Sequence, residues 1–247
     1  MSAALPPLEG VKAVILAGGK GTRLHPFTVT FPKPLMPLGD TPVIETLMRR
    51  LVRFGCRDVT LTLGHLAELT KAYFAQRSGA YEGLTLRFVQ EAEPTGTAGS
   101  LANVPNLAAT FITMNGDVLT DLDFGALLRA HREQGAILTI AAHEKEVKID
   151  LGVLKLGEDG AVVDYIEKPR HSYPVSMGIY VYEPRVLSYI EPGKYLDFPD
   201  LVLKLIRAGE RVHAHRTDCL WLDIGRPDDY ARAQELHAAE GGRFDRV

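Results

Sequence analysis

Strand-like and helix-like segments alternate along the first 143 residues, and this alternation limits the fold more than any other feature of the chain. An apolar run broken only by Lys12 covers 11–16, the pattern of a parallel strand buried on both faces. Thr41-Pro42 predicts a helix start, with Thr41 as cap and Pro42 at the first helical position. Val43, Ile44, Leu47, Met48 and Leu51 form its apolar stripe, and Gly55 ends it. Strands are predicted over 58–63, 84–89, 110–114 and 136–142. Between them come helices over 66–76 and 123–134, and another entered from the glycine-rich stretch 89–101; Phe124, Leu127, Leu128 and His131 share one side of the 123–134 helix. The order β-α-β-α-β-α-β-α-β argues for an α/β protein with a mostly parallel sheet and helices on both faces.

The second half reads differently. Strand-like segments cover 152–156, 162–167, 176–182, 211–216 and 220–223, interrupted by helices over 198–208 and 228–238. No linker, repeat or low-complexity segment divides the 247 residues, so the expectation is one domain with lobes 9–143 and 144–240. Residues 1–8 and roughly 240–247 read as loose ends. A net charge of -3, with both signs interspersed, gives no global basic field for nucleic acid, so any anion site must be local. Two cysteines, Cys56 and Cys219, form no paired or zinc-type motif and read as isolated buried thiols of a reducing compartment. The first ten residues lack the pattern of a signal peptide, and no apolar run reaches the ~20 residues of a membrane span. A cytoplasmic protein with no membrane partner is expected.

Chemistry concentrates in ILAGGKGTRLHPFTVTFPKPL, residues 15–35. Gly18, Gly19 and Gly21 follow a strand end, where open α/β sheets bind ligands and where glycines let backbone N–H groups approach an anion. Arg23 adds a fork of donors suited to phosphate oxygens. Lys33, between Pro32 and Pro34, sits on a stiffened segment. Together they describe a polyphosphate cradle. The spacing fits neither the P-loop nor GxGxxG, since Leu24 stands where the third glycine should be.

The run from Gly18 to Thr28, followed by Pro32-Lys33-Pro34, resembles the signature of the sugar-1-phosphate nucleotidyltransferases, among them mannose-1-phosphate guanylyltransferases and glucose-1-phosphate thymidylyltransferases. Later segments match in order, so the resemblance covers about residues 10–238. It implies a Rossmann-like three-layer fold with a mixed, mostly parallel central sheet. It also implies transfer of a nucleotidyl group from a nucleoside triphosphate to a sugar 1-phosphate, giving a nucleotide-sugar and pyrophosphate. The glycine loop, with Leu16, Ala17, Gly18, Gly19, Gly21 and Thr22, would wrap the triphosphate. Arg23 and Lys33 would neutralise it and its leaving group.

By the same resemblance Asp117, after the strand ending in MNGD, and Asp223, in CLWLDIG, are the two metal-binding aspartates and imply Mg2+, a hard ion favouring oxygen ligands. A lone strand-end Asp is as a rule a cap or turn former. Asp121 and Asp123 imitate a glycosyltransferase DxD, but Asp123 reads as the N-cap of the following helix. The loop VQEAEPTGTAGSL implies a base and ribose site with Glu91, Gly96 and Thr97. A carboxylate only accepts hydrogen bonds, and guanine offers two N–H donors on one edge, so Glu91 favours GTP; Gln would suit uracil or thymine better. Glu167 and Lys168 in DYIEKP match the family's Glu-Lys-Pro, with Glu167 on sugar hydroxyls and Lys168, as a third catalytic cation, on the sugar phosphate. Gly152, Ser176 and Gly178 complete that implied subsite. Ser176 departs from the usual Asn, which leaves the sugar open. His25 occupies a variable position of the signature, and a surface role is expected for it.

The favoured pair is GTP with mannose-1-phosphate or a related sugar or heptose phosphate, in nucleotide-sugar and polysaccharide biosynthesis. UTP or dTTP with glucose-1-phosphate, and a non-catalytic nucleotide-sugar-binding regulator, are the alternatives. A further C-terminal β-helix is not expected, which favours a monomer or homodimer.

Overall fold

A computed structural model describes residues 6–81 and 83–244. The elements run, in chain order, β1 Lys12–Ala17, β2 Pro37–Leu38, β3 Thr41–Pro42, α1 Val43–Arg53, β4 Asp58–Leu63, α2 Ala67–Gln76, β5 Thr85–Gln90, α3 Gly96–Gly99, β6 Phe111–Asn115, β7 Val118–Thr120 and α4 Phe124–Gln134. The second half adds β8 Leu138–Lys148, β9 Val153–Leu156, β10 Val162–Ile166, β11 Arg170–Tyr182, α5 Phe198–Arg207, β12 Val212–Thr217, β13 Trp221–Asp223 and α6 Pro227–Phe244.

Among the described residues, seven strands form the main sheet in the order β12-β8-β11-β6-β1-β4-β5. Only β11 runs against its neighbours, so the sheet is mixed and mostly parallel. β1 lies between β4 and β6 and is covered on both faces, which is why its sequence is continuously apolar rather than alternating. Ala13 and Ile15 enter one core, with Ile44, Leu47, Met48 and Leu51 of α1 and Leu127 of α4. Val14 enters the other, with Tyr180 and Tyr182 of β11 and Leu201 and Leu205 of α5. The Asp123 side chain accepts from Ala126 N at 2.8 Å, as expected of an N-cap. His131 is buried on the core side of α4, between Thr139 (2.8 Å) and Glu183 (3.1 Å).

Five expectations need correction. Thr41 and Pro42 are not the cap and first turn of α1 but the strand β3, which pairs with β2; Val43 N then donates to Met36 O at 3.0 Å, closing the hairpin before the helix begins. β8 and β11 run well past the predicted ends at 142 and 176, pairing out to Arg170 opposite Lys148. Their outer halves carry Glu144, Lys145, Glu146, Lys148 and Arg170 and lie in water, so no apolar alternation marks them. β7 was missed because three residues give no period; it pairs with β13. The supposed loose ends are partly anchored: Leu8 and Phe244 are buried, and α6 continues to Phe244 with a non-helical Glu240 inside it. Residues 1–5 and 245–247 lie outside the described residues. Cys56 is buried and its thiol is pushed up to about 11 by burial, whereas Cys219 is only half-buried. No helix among the described residues is long and apolar enough to cross a membrane.

Candidate active site

β1, β4 and β6 end side by side, and the loops leaving them close a cavity of about 460 Å³. Leu16, Ala17, Gly18, Gly19, Gly21, Thr22 and Arg23 line it from the β1 side, Glu91, Gly96 and Thr97 from the β5 side, Asp117 from the end of β6, and Lys33 from the turn before β2. The loops are tied together through main chain. His65 N donates to Gly18 O (3.2 Å), Glu91 N to Leu63 O (3.0 Å) and Gly116 N to Leu16 O (2.9 Å).

Glu91 accepts from the Thr95 hydroxyl and, at 3.4 Å, from Thr95 N. Its other oxygen lies 3.3 Å from where a Cβ on Gly18 would stand, so the carboxylate and the glycine loop face each other. Gly96 has φ +81°, and a Cβ there would come within 2.5 Å of Leu196 O. That carbonyl is already the acceptor for Ala98 N (3.0 Å) and Gly99 N (2.9 Å). Glycine is required at this position by both backbone and space.

The wall opposite contains residues that sequence reasoning missed. Asp197, from the segment before α5, accepts from Thr97 N at 3.1 Å and Thr97 Oγ1 at 3.3 Å, and Tyr195 and Asn115 also line the cavity. Burial pushes the Asp197 carboxyl up, but the bonds from Tyr195 and Thr97 hold it below its ordinary value. Asn115 and Gly116 were visible in MNGD. Tyr195 and Asp197 carried no signal, because Asp197 meets Thr97 across 100 positions and Tyr195 donates to Asp197.

Arg23, Lys33, Asp117 and Asp223 form the charged floor. Asp117 follows β6, and its carbonyl accepts from Ile224 N at 3.0 Å, which sets Asp223 beside it at the end of β13. Lys33 Nζ is ion-paired with Asp117 Oδ2, while Asp117 Oδ1 is buried with no hydrogen-bond partner. Burial and then the Asp117 charge hold the Asp223 carboxyl above its usual range, against the pull of Lys33 and Arg23. A Cβ on Gly225 would stand 3.3 Å from Asp223 Oδ2 and 3.5 Å from both terminal nitrogens of Arg23, so the guanidinium and this carboxylate share one corner. Among the described residues no group of three or more His, Cys, Asp or Glu could hold a metal. Two adjacent carboxylates with one orphaned buried oxygen nevertheless fit a hard cation whose remaining ligands are water and phosphate.

Of the residues expected at a sugar subsite, Gly152, Glu167, Lys168 and Ser176 are not among those lining this cavity, and Gly178 borders it. Gly152 precedes β9, and Glu167 and Lys168 follow β10, where both side chains are more than half exposed and 3.5 Å apart. Lys168 holds φ +46°, uncommon for a residue with a Cβ. A Cβ on Gly152 would meet the Tyr165 hydroxyl at 2.0 Å, and that hydroxyl donates to Glu167 at 3.0 Å. Ser176 is exposed on β11 and donates to Tyr180 Oη at 3.2 Å. Gly178, φ +72°, abuts the Asn115 amide of the cavity. His25 is exposed.

The model of the nucleotidyl transferase family matches residues 12–240. The chain is similar to a UTP–glucose-1-phosphate uridylyltransferase of Synechocystis sp., 36% identical over 90% of this chain and 62% of that protein. It is also similar to the mannose-1-phosphate guanylyltransferase catalytic subunit beta of Drosophila pseudoobscura pseudoobscura, 34% identical over 93% of this chain and 63% of that protein. The chain thus spans less than two thirds of the length of these curated relatives. Among solved structures, HddC from Yersinia pseudotuberculosis superposes with a TM-score of 0.72 at 27% identity, covering 91% of this chain and 98% of that one. Its complex with GMP-PN gives 0.68 at 25% identity over the same shares of the two chains. With the glycine loop, the paired cations and the two strand-end aspartates in place on a mostly parallel sheet, the chain belongs to the nucleotidyl transferase family.

Proposed function

We propose that this chain is a sugar-1-phosphate nucleotidyltransferase: a sugar-phosphate oxygen attacks the α-phosphorus of a nucleoside triphosphate, the bond to the β-phosphate breaks, and pyrophosphate leaves. The observation that carries this reading is the cavity itself, where a glycine loop, Arg23 and Lys33 converge beside two carboxylates. The attacking oxygen is already anionic near neutral pH, so neither a general base nor a protein nucleophile is required. The chain's task is to bring two anions together and to stabilise charge on the departing pyrophosphate. The Gly18–Thr22 backbone holds the triphosphate, Arg23 and Lys33 receive the leaving group, and Lys168 places the sugar phosphate. Asp117 and Asp223 would hold Mg2+, which when bound supplies charge neutralisation at the phosphates.

GTP is the favoured triphosphate, because Glu91 supplies acceptors only and guanine presents two donors on one edge. The guanylyltransferase relative and the GMP-PN complex of HddC support this choice, and the uridylyltransferase relative supports the alternative of UTP with glucose-1-phosphate. Mannose-1-phosphate or a related sugar or heptose phosphate is the favoured acceptor. In this reading the enzyme acts in the cytoplasm, as a monomer or homodimer, and feeds glycosyl transfer. A matrix of the nucleoside triphosphates against sugar 1-phosphates, read by pyrophosphate release and mass spectrometry of the product, tests all of this. GTP with a manno-configured phosphate is expected to give the highest kcat/KM. Binding without pyrophosphate release for every pair would instead identify a regulator.

A further inference from the structure

We propose that Lys33 occupies the cation position of the site in the free enzyme, so that Asp117 becomes available to a divalent metal only when a triphosphate draws Lys33 away. The inference rests on reading the cavity as a triphosphate pocket, and it assigns Lys33 a role in coupling metal and nucleotide binding.

The backbone under Lys33 is fixed. Pro32 and Pro34 are buried on either side of it, Leu35 N donates to Pro32 O at 2.9 Å, and Met36 N donates to Lys33 O at 3.0 Å. Leu35 and Met36 are core residues, and Met36 O is held in turn by Val43 N. The mobile part is therefore the four-carbon stem, which carries a compact charge that can swing between partners. At one end of its reach is Asp117 Oδ2, and the stem also lines the cavity where a triphosphate would lie.

The carboxylate it holds is the better placed of the two for a metal. Asp117 Oδ1 is buried and unpartnered, and a buried polar atom left without a partner is costly unless something is meant to fill it. Asp223 stands alongside, set there by the bond from Ile224 N to Asp117 O (3.0 Å), and the Arg23 guanidinium shares its corner. Two carboxylates and two cations thus neutralise one another in the free pocket. An ammonium and a divalent ion cannot share Asp117 without strong repulsion at such close range. A triphosphate reverses the balance, because its several negative charges give Lys33 a stronger partner than one carboxylate. Metal and triphosphate then assist each other's binding through a single side chain, and this coupling is reciprocal.

The test is direct titration of the full chain with Mn2+ alone, without nucleotide, followed by electron paramagnetic resonance of the free ion. Lys33→Met should bind Mn2+ about 10-fold more tightly than wild type, within the ~5–150-fold span of ordinary coupling between sites. Lys33→Gln should repeat the gain, and Lys33→Arg, which keeps the charge, should bind as weakly as wild type. Adding Asp117→Asn to Lys33→Met should abolish the gain. The proposal is overturned if neither neutral variant, with wild-type circular dichroism, binds Mn2+ more tightly, or if the gain survives Asp117→Asn. Failure of the functional reading is separate: it would appear as absence of pyrophosphate release by the wild type, whatever the Mn2+ titrations give.

Discussion

The end proposed to hold phosphate and the end proposed to hold sugar, called here the phosphate end and the sugar end, are built on opposite plans. The phosphate end rests on three fully packed strands, and main-chain bonds from Gly18 to His65, Leu63 to Glu91 and Leu16 to Gly116 tie its loops together. The sugar end hangs on the outer halves of β8 and β11 and on the hairpin β9–β10, where Leu151 is 74% exposed and Tyr165 59%. The contacts there are solvent ion pairs such as Arg170–Glu146 (2.7 Å) and Lys168–Glu167 (3.5 Å), of a kind contributing about 0–1 kcal/mol each. A triphosphate is the same object for every substrate pair and can be met by a stiff backbone cradle. A sugar varies, and a lightly packed arm can change its residues with little effect on the fold.

Four experiments can break or sharpen this contrast. The largest effect is expected at the charged floor: Arg23→Ala should lower kcat about 100-fold or more, the ~2.7–4 kcal/mol of a lost transition-state donor, and Asp223→Asn, which removes a would-be metal ligand, should cost about as much. Near-normal turnover in either variant would remove that residue from the chemistry. Next comes Lys168→Ala, which should raise the sugar-phosphate KM roughly 10- to 100-fold, the worth of one charged hydrogen bond, while leaving nucleotide affinity unchanged. A parallel loss of nucleotide binding would show that the two ends are not independent.

A pair of glycine variants compares the two plans directly. Gly96→Ala forces a Cβ against Leu196 O in a backbone conformation costing about 1–3 kcal/mol, so thermal stability and nucleotide affinity should both fall. Gly152→Ala meets only the end of the Tyr165 side chain, which can swing into water, so stability should change by less than about 0.5 kcal/mol. Equal melting shifts for the two would erase the distinction.

The smallest effect is a gain. Because burial and Asp117 raise the folded-state pKa of Asp223, its charged form costs stability at neutral pH. Asp223→Asn should melt higher than wild type near pH 7. The gap should close as the pH falls through the folded-state pKa, where Asp223 takes up its proton. Calorimetry from about pH 7 down to 4 checks the sign, and a less stable variant at pH 7 would contradict it.

Much of the fold was legible because it is local. The covered strand β1, the stripe of α1 and the Asp123 cap each depend on residues within a few positions of one another. The glycine loop after β1 was legible for the same reason, since consecutive residues make it. The outer halves of β8 and β11 were not, because a strand pair in water needs no apolar alternation.

The sequence by itself determined the α/β class and the family, both properties of short-range pattern. Only the tertiary structure decided that Lys33 pairs with Asp117 across 84 positions and that Thr97 leans on Asp197 across 100. It also decided that Asp223 lies beside Asp117, and that the Glu167 and Lys168 side chains are more than half exposed. Charge at a site is set by which side chains meet there and how much water they lose, and neither quantity is written in the spacing of residues along the chain.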